Sequence, residues 1–359
     1  MQAGMVGLFF AGALALTAAG AQDTVASKSQ MSNYSIRETN EDGAKVYVLR
    51  DAARDVEVKV APGVGNLATA MTAHGKPVLW TPYASAGEWA KHPGAMGGVP
   101  FLWPWANRID GLSYWVNGRK YAINPDLGNV RIGPVPTPIH GLLLSAKQWK
   151  VIRAEATQTE AVVASRIELW REPAMMAQFP FANAVTTAYR LKDGVLEVET
   201  AVENLSSEPM PVSLGFHPYF QVNDAPRDEW KVRLPAREKF VLNERLIPTG
   251  EKTANPYANS QALKGVVLDD VLGSLVRDSD GWARFRLEGA KESVTVEYGG
   301  TYPVAVVYAP PGRGFVCFEP MSAPTNAFNA AHDGWFKDLP LVAPGGTWKG
   351  VFRIVPEGF

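Results

Sequence analysis

Apolar and polar side chains alternate over residues 45–50 and 55–60, the period of two expected of half-buried strands, and residues 161–169 continue the pattern. The clearest pairing signal lies at 186–203. Residues 186–191 and 195–203 both have strand character, and Lys192-Asp193-Gly194 between them offers the left-handed turn geometry of a β-hairpin. Further strands are predicted at 230–234, 293–298, 304–308, 315–319 and 348–355. No amphipathic helix longer than about three turns emerges from the pattern. Strands along the whole chain, without alternating helices, point to one antiparallel all-β unit.

The first residues break this pattern. An almost unbroken apolar run over 5–19 ends in the small-residue stretch Ala19-Gly20-Ala21 before Gln22, as an export signal does, although no Lys or Arg precedes it. The run is short for a bilayer span of about 20 apolar residues. The expected organisation is a signal peptide at 1–21, a polar flexible leader at 22–33 and a single domain at 34–359. The mature protein is then extracytoplasmic, periplasmic or secreted, with no membrane attachment after cleavage. Cys317 is the only cysteine, so no intramolecular disulfide can form and a large core must stabilise the domain.

Apolar residues make up 46% of the chain, charged residues 20%, and the formal net charge is −1, which is ordinary for a globular protein and implies no polyanionic partner. Nucleic-acid binding would require a basic cluster, and none is present. Eleven Trp, eleven Tyr and fifteen Phe, with 27 Pro and 33 Gly, favour many short strands joined by turns. Such aromatic residues also suit stacking on a sugar.

Against this background a few polar residues stand out. In residues 212–217, Val212, Leu214 and Phe216 share one strand face while Ser213, Gly215 and His217 share the other, small and polar like the floor of a cleft. Pro218 is expected to end that strand. Glu319 follows the apolar run Phe315-Val316-Cys317-Phe318 at the expected end of another strand, where an unpaired carboxylate would be costly to bury. A histidine near ~6.5 and a glutamate near ~4.3 can hold opposite protonation states at neutral pH, as concerted proton donation and removal require. A locally hydrogen-bonded histidine and a structural ion pair are the competing readings. Arg108 sits beside Asn107 and the aromatic stretch Trp103-Pro104-Trp105, which suits hydroxyl recognition, stacking or a structural ion pair alike. His140 follows a proline-rich loop.

Taken in order, Asn107-Arg108-Ile109, Ile139-His140-Gly141, His217-Pro218-Tyr219-Phe220 and Glu319-Pro320 with Asn326-Ala327 resemble the aldose 1-epimerase (galactose mutarotase) family over residues 47–355. The resemblance implies a large antiparallel β-sandwich of the galactose mutarotase type, a small-molecule sugar substrate, and no metal or organic cofactor. It implies that His217 protonates the sugar ring oxygen, that Glu319 removes the anomeric hydroxyl proton, and that Arg108, His140 and Asn107 contact the substrate. Within Leu268-Asp269-Asp270-Val271-Leu272, Asp269 resembles the family's hydroxyl-binding aspartate, with Asp270 as the neighbouring choice. Gln221, where asparagine is common, and the extended proline-rich loop over 133–138 depart from the family pattern and bear on substrate preference.

Other chemistries have weaker support. A zinc hydrolase could draw on His140, His217 and Glu319, but there is no closely spaced His pair. Asp278-Ser279-Asp280-Gly281 holds a fragment of a calcium-loop spacing and otherwise reads as a turn. No Gly-rich loop with Lys-Ser or Lys-Thr suggests a bound nucleotide. A non-catalytic carbohydrate-binding protein on the same fold is the main alternative from another class. A hexose-6-phosphate mutarotase is the alternative among enzymes, disfavoured by the export signal.

Overall fold

The computed structural model describes residues 32–359, so the expected signal peptide and most of the leader lie outside the described residues. Sheets form where the alternation predicts them. The expected strands at 45–50 and 55–60 are observed as Ala44–Asp51 and Val56–Ala61, paired with each other and with Tyr34–Glu41 and Leu67–Ala73 in a five-stranded antiparallel sheet that Lys76–Pro77 completes. The hairpin at 186–203 is longer than expected. Asn183–Lys192 pairs with Val195–Asn204 and Lys192 faces Val195, which leaves only Asp193 and Gly194 in the turn, both at positive φ. A two-residue loop of this kind matches the twist of its strands, so Lys192 is drawn into the ladder.

Two large sheets make up the body. A nine-stranded antiparallel sheet has Thr347–Glu357 near its centre, flanked by Ser293–Tyr298 and Val195–Asn204. An eight-stranded sheet includes Leu268–Leu275, Val304–Ala309 and Val316–Met321 side by side, followed by Gly215–Phe216 and Phe101–Leu102, with Tyr219–Phe220 also pairing with Val316–Met321. Their inner faces interlock. Phe216 meets Phe352 at 4.9 Å and Phe318 meets Phe285 at 5.9 Å, ring centre to ring centre, within one continuous buried core. This is a β-sandwich, packed as two apolar faces with polar positions turned outward. The described α-helices, Ala86–Lys91, Pro173–Gln178 and Ala327–His332, have six residues each. No described helix is long and apolar enough to cross a membrane.

The strand of Gly215 and Phe216 ends ahead of Pro218, as expected, and Tyr219 and Phe220 then pair as a separate short strand against Cys317 and Val316. Two local expectations are corrected. Glu319 lies inside its strand, which continues through Pro320 to Met321 because Val304, Ala305 and Val306 on the neighbouring strand keep it in register. Of the face shared by Ser213, Gly215 and His217, only His217 reaches a cleft. An added Cβ on Gly215 would lie 2.1 Å from the Met321 sulfur, so this glycine is packed under a side chain and is not open floor.

Candidate active site

The outer face of the eight-stranded sheet carries a cleft of about 520 Å³. Strand register determines which side chains enter it. Asp269 faces Tyr308 and Tyr308 faces Cys317 across three adjacent strands, and one step along the same face Val306 pairs with Glu319. With successive side chains alternating between faces, Leu268, Val307 and Phe318 point into the core while Asp269, Tyr308 and Glu319 point out. The same alternation separates the two neighbouring aspartates. Asp269 lines the cleft, whereas Asp270 forms an ion pair with Lys239 at 2.5 Å.

Loops bring the remaining polar groups. Asn107 and His140 both hold left-handed backbones, at φ 55° and 67°, and the His140 N–H donates to the Asn107 carbonyl at 2.9 Å. Non-glycine residues in this region are uncommon and concentrate at functional sites. Gly141 makes the approach possible, since a Cβ there would lie 2.2 Å from the Trp103 carbonyl oxygen. Asn326 holds the other side of the loop: its N–H donates to the Arg108 carbonyl, and its side-chain oxygen accepts from the Asp110 N–H. The Arg108 guanidinium donates to the Asn107 side-chain oxygen at 2.9 Å.

All six residues singled out from the sequence, Asn107, Arg108, His140, Asp269, His217 and Glu319, line this one cleft. His217 stacks on Tyr219 at 4.8 Å and meets His140 edge to face at 5.3 Å. Its Nε2 lies 3.2 Å from Glu319 Oε1. That contact lacks hydrogen-bond geometry, and both Glu319 carboxyl oxygens and the Nδ1 atoms of His217 and His140 are buried without hydrogen-bond partners among the described residues. Buried polar atoms are normally satisfied, so a cluster of exceptions in a cleft marks groups held ready for a ligand.

Burial sets the protonation of these groups. It holds His217 down to about 3, with the Arg131 and Arg108 charges adding to the shift. Burial pushes the Glu319 carboxyl well above the usual carboxylate range; the Asp269 charge adds to this and Arg108 opposes it. His140 is held well below the ordinary histidine value, first by burial and then by His217 and the two arginines. Burial therefore shifts both groups towards their neutral forms, imidazole and carboxylic acid, and away from a charged imidazolium–carboxylate pair.

Several other residues line the cleft. Trp80, Tyr219 and Phe315 form an aromatic wall, with Trp80 4.7 Å from Phe315 and Tyr219 4.9 Å from it. Arg131 and Arg313 reach the cleft from loops, and Tyr308 enters from its strand. Tyr308 could have been found, since it alternates with the apolar Val307 on a predicted strand, whereas Trp80, Arg131 and Arg313 carried no signal in the sequence. Among the described residues no group of three or more His, Cys, Asp or Glu side chains is arranged to hold a metal ion. Asp278 and Asp280 are both tied to Arg284 around the turn that Gly281 completes, as a structural turn requires.

The family model for aldose 1-epimerase matches residues 47–355. The chain belongs to the aldose 1-epimerase family. Among curated proteins it is similar to the uncharacterized protein YihR of Escherichia coli K12, at 26% identity over 235 residues that cover 65% of this chain and 72% of YihR. Among solved structures it is similar to a galactose mutarotase-like protein from Clostridium acetobutylicum, with 22% identity, a TM-score of 0.81 and coverage of 91% of this chain and 99% of the other. It is also similar to the galactose 1-epimerase of Lactobacillus acidophilus NCFM, with 14% identity, a TM-score of 0.72 and coverage of 92% and 100%. These structural likenesses bear on the fold, which is the galactose mutarotase-like sandwich.

Proposed function

We propose that this epimerase-family protein interconverts the α and β anomers of a free aldose by acid/base-catalysed ring opening and reclosure. The observation that carries the reading is the approach of His217 Nε2 to Glu319 Oε1 at 3.2 Å, inside a cleft that also holds Arg108, His140 and Asp269. The ring oxygen and the anomeric hydroxyl of an aldose are bonded to the same carbon, so a donor and an acceptor this close can address both. His217 gives a proton to the ring oxygen as Glu319 takes the anomeric hydroxyl proton. The bond from C1 to the ring oxygen breaks and C1 becomes a carbonyl. Rotation about the C1–C2 bond turns its other face to the ring hydroxyl, and reversal of the two transfers closes the opposite anomer.

The protonation pattern is compatible with this assignment. The reactive pair, imidazolium and carboxylate, differs from the neutral pair that burial favours only by one proton moved between His217 and Glu319. Desolvation makes the imidazolium a stronger acid and the carboxylate a stronger base than either would be in water, which increases the driving force for both transfers. Arg108, Asn107, His140 and Asp269 supply hydrogen bonds to ring hydroxyls, and the Trp80, Tyr219 and Phe315 wall offers an apolar surface to the sugar. A pure sugar binder would gain nothing from burying a partnerless carboxyl against an imidazole.

Residues 1–21 support action outside the cytoplasm, and N-terminal sequencing of protein from the cell envelope should begin at Gln22. Catalysis is tested by following anomer equilibration by NMR across a panel of aldoses, with and without protein. Acceleration of at least one aldose above the spontaneous rate is the expected result.

A further inference from the structure

Arg131 and Arg313 have no role in the chemistry just described, yet both line the cleft. Neither makes a side-chain hydrogen bond or an ion pair with any described residue. Three guanidinium groups, Arg108, Arg131 and Arg313, face two carboxyl groups, Asp269 and Glu319. Even with both acids ionised, the lining keeps an excess of one positive charge, since three minus two is one. Arg108 is engaged by the Asn107 side-chain oxygen, so the guanidinium groups left without a partner are those of the other two arginines.

Arg131 is the more informative of the pair because it is half-buried. It sits at the base of a closed loop: the Ile139 N–H donates to its carbonyl at 2.9 Å, Ile132 bridges Pro138, and the Gly133 N–H donates to Thr137 at 3.1 Å. Pro134 and Val135 at the tip of this loop line the same cleft. The loop carries the proline-rich segment 133–138 singled out in the sequence. A partly desolvated guanidinium without a counter-charge is costly, and here burial and the like charge of Arg108 both weigh against it. The cost is relieved if a ligand brings the anion, and a guanidinium fork matches a carboxylate or a phosphate group with two parallel hydrogen bonds.

We infer that the cleft selects an aldose carrying an anionic group, a carboxylate or a phosphate ester, held by Arg131 with Arg313 adding to the field. This inference rests on the acid/base reading for the orientation of the sugar. If His217 addresses the ring oxygen, the exocyclic carbon on the adjoining ring carbon lies on the same side, and Arg131 and His217 line the same cleft. The anionic group therefore belongs at C6, as in a hexuronate or a hexose 6-phosphate.

The test compares glucuronate, glucose 6-phosphate and glucose as substrates of the wild type and of Arg131→Gln, by NMR exchange with the spontaneous rate subtracted. One of the two anionic sugars should exceed glucose in kcat/KM by about tenfold or more, as expected for a charge-assisted bidentate contact. Whichever sugar does so identifies the group as carboxylate or phosphate. Arg131→Gln should bring the ratio of anionic to neutral kcat/KM close to one. The KM for the preferred anionic sugar should rise with sodium chloride while that for glucose does not. Arg313→Gln should lower the same ratio by a smaller factor, and it provides the comparison if Arg131→Gln is not folded by circular dichroism. Glucose matching both anionic sugars, or a ratio unchanged in the folded variants, would overturn the inference and leave the mutarotase reading intact. If the wild type accelerates no sugar, the acid/base reading fails instead, and calorimetry decides the inference. Tighter binding of glucuronate or glucose 6-phosphate than of glucose, lost in Arg131→Gln, would support it; equal or absent binding would overturn it.

Discussion

The Nε2 of His217 lies 3.2 Å from Oε1 of Glu319, yet neither Glu319 oxygen accepts a hydrogen bond from any described residue. A carboxyl group this deeply buried, with 1% of the residue exposed, would be a liability in a purely structural position. Its cost becomes intelligible if the group must stay unengaged until a substrate hydroxyl arrives.

That cost should be measurable as stability. The Glu319 carboxyl binds its proton more tightly in the folded protein than in the unfolded chain. The wild type therefore loses stability as pH rises from about 4.5, where the unfolded chain ionises, towards the raised folded value. Glu319→Gln removes this penalty, so its melting temperature should exceed that of the wild type by a margin that grows over the same window. The gain should correspond to about 1–3 kcal/mol, the range for an unsatisfied buried polar group. Melting curves of both proteins from pH 4 to 8 check the trend, and a margin that is flat or shrinks with pH would count against the burial account.

The pH dependence of activity follows from the same pair. The active cleft keeps one transferable proton between His217 and Glu319. A second proton is taken up only towards about 3, where His217 titrates, and the one proton is lost only above the ordinary carboxylate range. The profile of kcat/KM should therefore hold at pH values below 4.5 and fall on the alkaline side, with apparent constants that belong to the pair. A window confined between 4.5 and 6.5, as for unperturbed groups, is the contrary outcome.

The two neighbouring aspartates should separate cleanly. Asp269→Asn alters a cleft residue and should raise KM by about tenfold or more, as losing a charged hydrogen bond does. Asp270→Asn breaks the pair with Lys239, and should cost about 1 kcal/mol of stability while leaving KM close to that of the wild type. Steady-state kinetics beside thermal melts of both variants distinguish them.

How much of this was legible in the sequence depends on how each residue reaches the cleft. Residues on regular strands could be placed by alternation alone. The apolar partners Val212, Leu214 and Phe216 turn inward, and His217 is left facing the cleft. The choice between Asp269 and Asp270 needed the register with Tyr308, because two adjacent acids on a strand differ only in face. Loop residues were harder. His140 was visible through its motif, but nothing in the spacing of Arg131 or Arg313 indicated a cleft, since loops have no period. Trp80 comes from another region of the chain, and its contacts with Phe315 and Tyr219 assign it to the wall. The direction of the pKa shifts was not legible for a physical reason: unperturbed values assume water around His217 and Glu319, and the fold removes it.

The central claim is that His217 and Glu319 act together on one sugar, and the decisive measurement is anomer interconversion above the spontaneous rate in the wild type, Glu319→Gln, His217→Asn and the double variant. Each single change should lower kcat by about 10²- to 10⁴-fold with a much smaller change in KM, in protein that is folded by circular dichroism. The double variant should lose less than the product of the two, because groups working in one step are not additive. A folded Glu319→Gln protein that turned over its sugar at near wild-type rate would contradict the account.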